Sequence, residues 1–436
     1  MHHFSYRGSV LHAEDVPVPA IAEAVGTPFY CYATATIERH YRVFAEAVGA
    51  NGSGHARVFY AMKANSNAGV LATLARLGAG ADTVSEGEIR RAIAAGIPAE
   101  RIVLSGVGKT EAELAYAVAA GIYQINIETE GELEMLARVA ARLGRRQAAV
   151  FRVNPDVGAG GHAKITTGSS DNKFGISIEE AVRLYGRARQ LSGVGGPGVE
   201  MVGLAVHIGS QIRETGELEA AFLKLRQTTE ALRASGYAVS RLDLGGGLGI
   251  PYDVPVDFDH GPDLIHAYAA VVNRVLGDLG VELGYEPGRI IVGNAGILVT
   301  RVIGFNRRPA KAFAIVDAAM NDLVRPAMYD AYHEIWPVQA PAAGAPVESY
   351  DVVGPICESS DSFASARPLP RLAEGDLVAL MTAGAYGSAM SSTYNSRLLV
   401  PEVLVNGRDF AVVRPRPSYD DLIALDRMPP WLAGPA

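Results

Sequence analysis

Short apolar runs alternate with longer segments of helical period between residues 57 and 286. The longer segments place Ala, Leu and Ile at helical spacing, whereas the short runs have the length of buried strands. Eight such runs are present: VFYAM (58–62), GADTV (80–84), RIVL (101–104), QINI (124–127), AAVFRV (148–153), MVGLAVHI (201–208), RLDL (241–244) and VELGYE (281–286). This alternation predicts an α/β fold, a (β/α)8 barrel. An open doubly wound sheet is the alternative, but it more commonly has about five or six strands.

Four of the predicted helices begin with a Ser or Thr followed three residues later by Glu. In this capping box the hydroxyl accepts a hydrogen bond from a free backbone N–H, and the Glu reaches back to the cap residue. The four pairs are Ser85 with Glu88, Thr110 with Glu113, Thr129 with Glu132, and Ser177 with Glu180.

The pattern changes after residue 286, where β-rich runs punctuated by Gly and Pro replace the long helical segments. These runs predict a separate C-terminal antiparallel β domain, a barrel or a sandwich. The segment FSYRG near the N-terminus is expected to add a strand to it. We therefore predict an N-terminal segment (1–30) that packs with the β domain, a barrel (31–285) and the β domain itself (286–436).

Composition narrows the class of protein. The 436 residues are 49% hydrophobic and 20% charged, with a formal net charge of −8. This balance is typical of a globular protein, and the acidic charge argues against nucleic acid or an anionic membrane as a partner. Only two cysteines are present, Cys31 and Cys357, so a disulfide framework is excluded. No signal peptide or apolar run of membrane-spanning length is recognisable, and a cytoplasmic location is expected.

Polar, reactive residues follow the predicted strands at their carboxyl ends, where barrel enzymes build their active sites. They are Lys63, Asp82, Arg152, His207 and Glu286, and the seventh strand runs directly into Gly245-Gly246-Gly247. Taken singly, each has an ordinary structural explanation: a solvated lysine, a satisfied core histidine, a tight glycine turn. Together they supply an amine for a Schiff base, bare N–H groups for a phosphate, an acid for a ring nitrogen and an aromatic ring for stacking. Pyridoxal phosphate needs this combination.

Longer motifs make this interpretation specific. They are FYAMKAN (59–65), DTVSEGEI (82–89), FRVNPDV (151–157), NKFGI (172–176), HIGSQI (207–212), LDLGGGLGI (242–250), EPGR (286–289), DAAMNDLVRPAMYDAYHEIWPV (317–338), GPICESSD (354–361) and GAYGSAMSSTYN (384–395). With these motifs, in collinear order over nearly the whole chain, the sequence resembles the fold type III pyridoxal-phosphate decarboxylases. The resemblance implies an alanine racemase-like barrel followed by a β domain.

The resemblance also implies roles for individual residues. Lys63 would bind the cofactor covalently, His207 would stack on its ring, and Glu286 would keep the ring nitrogen protonated. The remaining cofactor contacts implied are Asp82, Arg152, Ser210, Gly245, Gly246, Gly247, Pro287, Gly288, Arg289 and Tyr386. Cys357 would return a proton to the α-carbon. It would come from the partner subunit of a homodimer, so that two equivalent composite sites form.

The substrate expected from this family pattern is meso-2,6-diaminopimelate, which would be converted to L-lysine and CO2, the last step of lysine biosynthesis. The distal end of this substrate carries a carboxylate and an ammonium. Arg289 and Arg325 would bind the carboxylate, and Glu358 with Tyr329 would bind the ammonium. Tyr386 would lie near both the substrate and the phosphate. Arg325 has a structural alternative, an ion pair with Asp322, and Cys357 has one as an interface residue.

Three other functions stay open. The first is decarboxylation of lysine, ornithine or arginine on the same fold, and the second is a non-catalytic pyridoxal-phosphate-binding regulator. An amino-acid racemase is a weaker third alternative. The Gly-, Ser- and Thr-rich segment 154–175 is, in addition, predicted to form a lid that closes over the site during turnover.

Overall fold

The computed structural model describes residues 2–50, 55–157, 173–192, 196–253 and 263–432. The chain divides into two compact units. The first comprises Thr36–Pro251 and Asp257–Gly293, and the second comprises His2–Ala35, Tyr252–Val256 and Asn294–Ala436. Most of the segment predicted to form a lid, residues 158–172, lies outside the described residues.

The described strands and helices follow in chain order. The strands are β1 Phe4–Arg7, β2 Val10–Ala13, β3 Val16–Pro17, β4 Phe29–Ala33, β5 Ala56–Ala61, β6 Gly80–Thr83, β7 Ile102–Leu104, β8 Gln124–Ile127, β9 Arg146–Asn154, β10 Ile176–Ser177, β11 Gly198–Ala205, β12 Arg241–Asp243, β13 Glu282–Tyr285, β14 Gly296–Arg308, β15 Lys311–Val316, β16 Ile335–Pro337, β17 Val347–Val353, β18 Ser362–Pro370, β19 Leu377–Leu380, β20 Glu402–Asn406 and β21 Asp409–Arg414. The helices are α1 Val18–Val25, α2 Thr34–Ala47, α3 Ala68–Arg76, α4 Glu86–Ala94, α5 Glu111–Ala120, α6 Glu130–Arg142, α7 Ile178–Ser192, α8 Gly216–Ala234, α9 Asp263–Leu276, α10 Arg289–Val292, α11 Arg325–Tyr329 and α12 Tyr419–Ile423.

The first unit is a closed barrel of parallel strands. The hydrogen-bonded order is β5-β6-β7-β8-β9-β11-β12-β13, and β13 pairs with β5 to close the ring. All eight predicted runs form these strands, so the predicted barrel is confirmed and the open sheet is excluded. Because the strands are parallel, their carboxyl ends share one rim.

The predicted caps start the barrel helices, with one variation. The side chains of Ser85, Thr110 and Thr129 accept hydrogen bonds from the N–H groups of the Glu three residues later. Thr110 and Ser177 form the reciprocal box. At the other two caps the Glu accepts from the N–H one residue before the cap, at Val84 and at Glu128. In these two helices the hydroxyl half of the predicted capping box is present, but the Glu accepts from a different N–H than the box requires.

The second unit is a β domain, as predicted, but its large sheet is mixed. The order is β18-β17-β15-β14-β4-β20-β21, with β19 pairing with both β14 and β16. Most pairs are antiparallel, whereas β15 with β17 and β4 with β20 are parallel. Long connections separate the members of both parallel pairs in the sequence, and parallel pairing requires such connections.

FSYR adds a strand to the second unit, as predicted, but this strand does not join the large sheet. FSYR forms β1, which pairs with β2 in a separate three-stranded sheet. The strand that enters the large sheet is β4, between β14 and β20. The small sheet and α1 still contribute to the core of this unit, where Phe4, Leu11, Phe29, Ile297, Trp336 and Val403 pack together.

The division into units differs by a few residues from the predicted boundaries. The prediction starts the barrel at residue 31, but β4 pairs within the second unit's sheet, and the first unit begins at Thr36. The first unit also extends past residue 285, through α10, to Gly293. Among the described residues, no helix is long and apolar enough to cross a membrane.

Candidate active site

Lys63 and Asp82 lie at the carboxyl ends of neighbouring barrel strands. Lys63 belongs to a 3-10 turn directly after β5, and Asp82 lies in β6, paired in register with Ala61. The Lys63 Nζ is 3.4 Å from Asp82 Oδ2. The lysine side chain is 39% exposed, whereas the Asp82 side chain is fully buried. The amine is thus accessible and lies beside a buried carboxylate.

Glu286, directly after β13, forms the acidic part of the site with Asp243 at the end of β12. Both side chains are buried, and an oxygen of each lies near the same Asn126 side-chain nitrogen. Burial, together with the neighbouring Asp243 and Asp82 carboxyls, raises the pKa of Glu286 well above its usual value, and Lys63 opposes this only in part. Burial and the neighbouring carboxyls therefore favour the protonated form of Glu286.

Neutral polar side chains from β8 and the loop after β7 surround this acid pair. Asn126 Nδ2 lies 3.1 Å from Asp243 Oδ2 and 3.4 Å from Glu286 Oε1. Ser105 Oγ lies 3.3 Å from Glu286 Oε1, and Gln124 Nε2 lies 3.3 Å from Asp243 Oδ2. None of these residues was predicted. The signal was the alternation of Gln and Asn with Ile in QINI, which marks two polar side chains on one face of a strand.

His207 is a neutral imidazole in this site. Its pKa is lowered well below the usual value by burial and then by the cations Arg152 and Lys63. The ring nitrogen Nδ1 accepts the N–H of Gly246 at 3.1 Å, which assigns the proton to Nε2. Arg152 is fixed by Glu128 Oε1 at 3.0 Å and donates to the His207 carbonyl at 3.3 Å. Sequence analysis did not single out Glu128.

The turn after β12 admits only glycine. A Cβ on Gly246 would lie 2.1 Å from the carbonyl oxygen of Glu286, and one on Gly247 would lie 2.5 Å from that of Gly209. Gly245 and Gly247 also have positive φ angles, of +64° and +106°. The N–H groups of Gly245 and Gly246 donate to Asp243 and His207, so part of this backbone is already used inside the protein.

The Glu286–Arg289 segment is fixed against the end of β5. The carbonyl of Pro287 accepts the N–H of Ala61 at 3.1 Å. A Cβ on Gly288 would lie 3.1 Å from those of Ala61 and Ala64, so the backbone approaches closely there. Arg289 begins α10 and donates to Ser210 Oγ at 2.9 Å. Two predicted phosphate-binding residues are thus in contact.

The remaining predicted residues lie in the second unit, where Arg325 is held by His333. Arg325 is buried, donates to His333 Nε2 at 2.9 Å and stacks its guanidinium 4.5 Å from the centre of the Tyr252 ring. The other His333 nitrogen, Nδ1, is 2.9 Å from the Met381 carbonyl, so it carries the proton. The ring is therefore neutral. Asp322, the suggested structural partner of Arg325, accepts the N–H of Ala319 instead.

Cys357 and Glu358 occupy an exposed turn of the second unit. The Asp361 carboxylate fixes this turn by accepting the N–H groups of Ile356 at 2.6 Å and Met320 at 2.7 Å. Glu358 accepts a hydrogen bond from the Tyr394 hydroxyl group.

Two predicted tyrosines lie in the same unit. Tyr329, at the end of α11, is half-buried. Tyr386 is also half-buried, with a left-handed φ of +55° that is uncommon for a residue with a side chain. The structure therefore groups the predicted cofactor residues in the barrel, except Tyr386, and places Arg325, Tyr329, Cys357, Glu358 and Tyr386 in the other unit.

This barrel site defines a class of enzyme. Residues 34–293 match the family described as "Pyridoxal-dependent decarboxylase, pyridoxal binding domain". The match covers more than half of the chain and includes the whole barrel.

Relatives that match nearly the full chain identify a more specific family. The diaminopimelate decarboxylase of Zymomonas mobilis is 45% identical over 429 residues, which covers 98% of this chain and 99% of the relative. That of Pseudomonas aeruginosa is 46% identical over 427 residues, covering 98% and 99%. The crystal structure of diaminopimelate decarboxylase from M. jannaschii in co-complex with L-lysine superposes with a TM-score of 0.90 at 32% identity, covering 99% of this chain and 100% of that one. The chain belongs to the diaminopimelate decarboxylase family.

Proposed function

We propose that this chain decarboxylates meso-2,6-diaminopimelate to L-lysine and CO2, with pyridoxal phosphate as cofactor. The observation that carries the proposal is the barrel site, where an accessible lysine, a buried acid with a raised pKa and a side-chain-free glycine turn meet at one rim. Full-length similarity to diaminopimelate decarboxylases supports the choice of substrate. We place the reaction in the cytoplasm.

The residues present fit this cofactor. Lys63 would hold it covalently, and the backbone from Gly247 onward, with Ser210 and Arg289, would bind its phosphate. A Cβ at Gly246 or Gly247 would meet a backbone carbonyl oxygen, so the turn keeps this conformation only with glycine. When bound, pyridoxal phosphate supplies an electron sink for the pair left behind by departing CO2.

The charge state of each barrel residue suits this task. Burial favours a proton on Glu286, the residue that would pair with the ring nitrogen, and a protonated ring is the deeper electron sink. His207 is neutral, so it can stack on a cationic ring without repulsion. The Asp82 carboxyl group lies 3.4 Å from the Lys63 amine, and Arg152 donates a hydrogen bond to the His207 carbonyl.

The second unit would supply the proton and the distal contacts to substrate. Cys357 would protonate the α-carbon after CO2 leaves. Arg325 and Arg289 would bind the distal carboxylate, and Glu358 with Tyr329 the distal ammonium. Tyr386 would contact both phosphate and substrate, a role consistent with its strained backbone.

We further propose a homodimer in which Cys357 and Glu358 complete the partner's site. Their exposure supports this arrangement, because a proton donor and an ammonium-binding acid work best when a neighbouring surface excludes water. A two-fold axis would create two identical composite sites.

The geometry around Arg325 disfavours the nearest alternative, a decarboxylase of lysine, ornithine or arginine. Such substrates end in a cation, which a buried guanidinium would repel. A neutral His333 and the face of Tyr252 orient the guanidinium and leave its charge intact, which suits a carboxylate.

An assay on purified, cofactor-loaded protein tests the function. Meso-diaminopimelate, L-lysine, L-ornithine and L-arginine are offered separately, and CO2 and amine products are followed. We expect lysine to form from diaminopimelate and the other three to be unreactive. Turnover of a diamine precursor would overturn the substrate assignment. Inactivity on all four, with cofactor still bound to Lys63 by absorbance, would favour the regulator.

A further inference from the structure

A second carboxyl group, Asp243, lies behind Glu286 in the barrel. Asp243 ends β12 and Glu286 follows β13, and the two strands pair in register, with Asp243 opposite Gly284. Asp243 is 2% exposed and Glu286 is 7% exposed. The Asn126 Nδ2 atom lies 3.1 Å from Asp243 Oδ2 and 3.4 Å from Glu286 Oε1, so the two carboxyl groups are neighbours. At this burial, and without a cation of the described residues in contact with them, two adjacent carboxylates would not both be ionised.

Hydrogen bonds show which of the two is ionised. Asp243 accepts three N–H groups, from the Gly245 backbone at 3.0 Å and from the Asn126 and Gln124 amides at 3.1 and 3.3 Å. Glu286 accepts only the longer contacts from Ser105 and Asn126, at 3.3 and 3.4 Å. Bonds from N–H donors stabilise the anion. Burial raises the pKa of both carboxyls, but these donors favour Asp243 as the ionised group and Glu286 as the protonated one.

The other titratable groups around Glu286 do not replace Asp243 in this role. Asp82, from β6, also favours the protonated form of Glu286, but it lies beside Lys63, whose charge acts in the opposite direction. Tyr268, from α9, interacts with both carboxyls, and its own pKa is raised well above the usual value by burial. Asp243 is the carboxyl group that shares the Asn126 side-chain nitrogen with Glu286.

We propose that Asp243 is a positioning residue that keeps a proton on Glu286 before the cofactor binds, so that this proton passes to the ring nitrogen when the cofactor enters. The proton balance is simple: the Glu286 carboxylic acid becomes a carboxylate, and the pyridine nitrogen becomes a pyridinium. No proton is then drawn from solvent for the ring. This inference rests on the proposed use of pyridoxal phosphate, not on the identity of the amino-acid substrate.

Calorimetry of cofactor binding tests the proposal. Full-length protein freed of cofactor is titrated with pyridoxal phosphate at pH 7.5 in buffers of different ionisation enthalpy, which gives the number of protons exchanged with solvent. In Asp243→Asn, Glu286 loses the anion that favours its protonation, so its pKa falls and a larger fraction of it is ionised in the cofactor-free protein. We expect this variant to take up more protons than the wild type, by up to about one per site.

Glu286→Gln provides the matched control, because it has no proton to donate. Adding Asp243→Asn to Glu286→Gln should leave the proton count unchanged. Equal counts for wild type and a folded, cofactor-binding Asp243→Asn would overturn the proposal. Loss of packing alone does not alter this readout, and failure to decarboxylate diaminopimelate does not affect it. If Asp243→Asn does not fold, the smaller Asp243→Ser removes the same charge.

Stability of the cofactor-free protein gives a second readout. Because the folded-state pKa of Glu286 is raised, its stabilising contribution is full below the usual glutamate pKa and is lost as pH rises toward the folded value. The Tm of the wild type should therefore fall relative to that of Glu286→Gln between pH 5 and pH 8. Parallel curves would show that Glu286 is already ionised and would contradict the proposal.

Discussion

The barrel rim and the exposed turn of the second unit differ in how much of their chemistry is fixed in a single chain. At the rim, Asp82, Asp243 and Glu286 are buried, and Asn126 of β8 donates hydrogen bonds to Asp243 and Glu286. In the turn, Cys357 and Glu358 are exposed. The rim residues therefore influence one another's protonation within a single chain, whereas the turn residues face solvent.

Burial causes this difference. In the barrel it raises the pKa of Glu286 and lowers that of His207, so it favours the uncharged form of both the acid and the base. Exposed charges are screened by water and salt and shift each other little. Buried residues inside a strand barrel can therefore control protonation at a cofactor site. A proton donor that meets the substrate can instead lie on a surface turn.

Replacing Lys63 should have the largest effect. Lys63→Ala removes the covalent attachment and should lower kcat by at least about 10⁴-fold, since no other described side chain offers an amine at this point of the rim. Activity and the visible absorbance of the protein measure it. Lys311→Ala, which removes a lysine paired with Asp351 in the second unit, is the control and should be near wild type. Comparable loss in both variants would contradict the assignment.

Replacing Cys357 tests whether the exposed turn acts in catalysis without contributing to cofactor binding in the barrel. Cys357→Ala should lower kcat by about 10²- to 10⁴-fold, the range for a lost proton donor. Cofactor affinity, measured by absorbance titration, should stay unchanged because the barrel site is intact. Serine is a weaker acid of similar size, so Cys357→Ser should have a kcat between those of the wild type and Cys357→Ala. A parallel loss of cofactor binding would show that the turn is structural.

Adding a methyl group to the glycine turn tests the barrel side alone. Gly246→Ala places a Cβ 2.1 Å from the Glu286 carbonyl, so the turn must shift. We expect a cost of about 1–3 kcal/mol in the free energy of unfolding, and weaker cofactor binding. The matched control is Gly131→Ala in α6, where nothing lies within 4 Å of the new Cβ. That variant should be stabilised by about 0.5–1 kcal/mol.

Replacing His333 should have the smallest effect. His333→Ala removes the acceptor that orients Arg325 and should raise the KM for diaminopimelate by about fivefold, the value of roughly one hydrogen bond. His333→Gln, which retains an acceptor, should recover part of the loss. An unchanged KM with both variants would indicate that Arg325 does not contact substrate.

The sequence predicted the barrel because its signals are local. Hydrophobic runs, caps and strand-end residues all occur within short windows, so the eight strands and the rim residues could be read from them. The β domain was less predictable because β4 inserts between β14 and β20, which are distant in the chain. Asp243 and Asn126 were missed because their importance depends on pairing between strands far apart in sequence.

His333 was missed for a related reason. It lies within a recognised motif, but its role depends on contacts with Arg325 and with the Met381 carbonyl, 48 residues away. Glu128 likewise acquires its role through Arg152. Residues that orient other residues carry no local signal of their own.

Mixed dimers test most directly the central claim that the barrel of one subunit works with the exposed turn of another. Lys63→Ala and Cys357→Ala chains with different tags are co-expressed, and dimers carrying both tags are purified. Such a dimer has one site with Lys63 and Cys357 both intact, so it should show about half of the wild-type activity, although both parent variants are inactive. Mixed dimers as inactive as their parents would contradict the account.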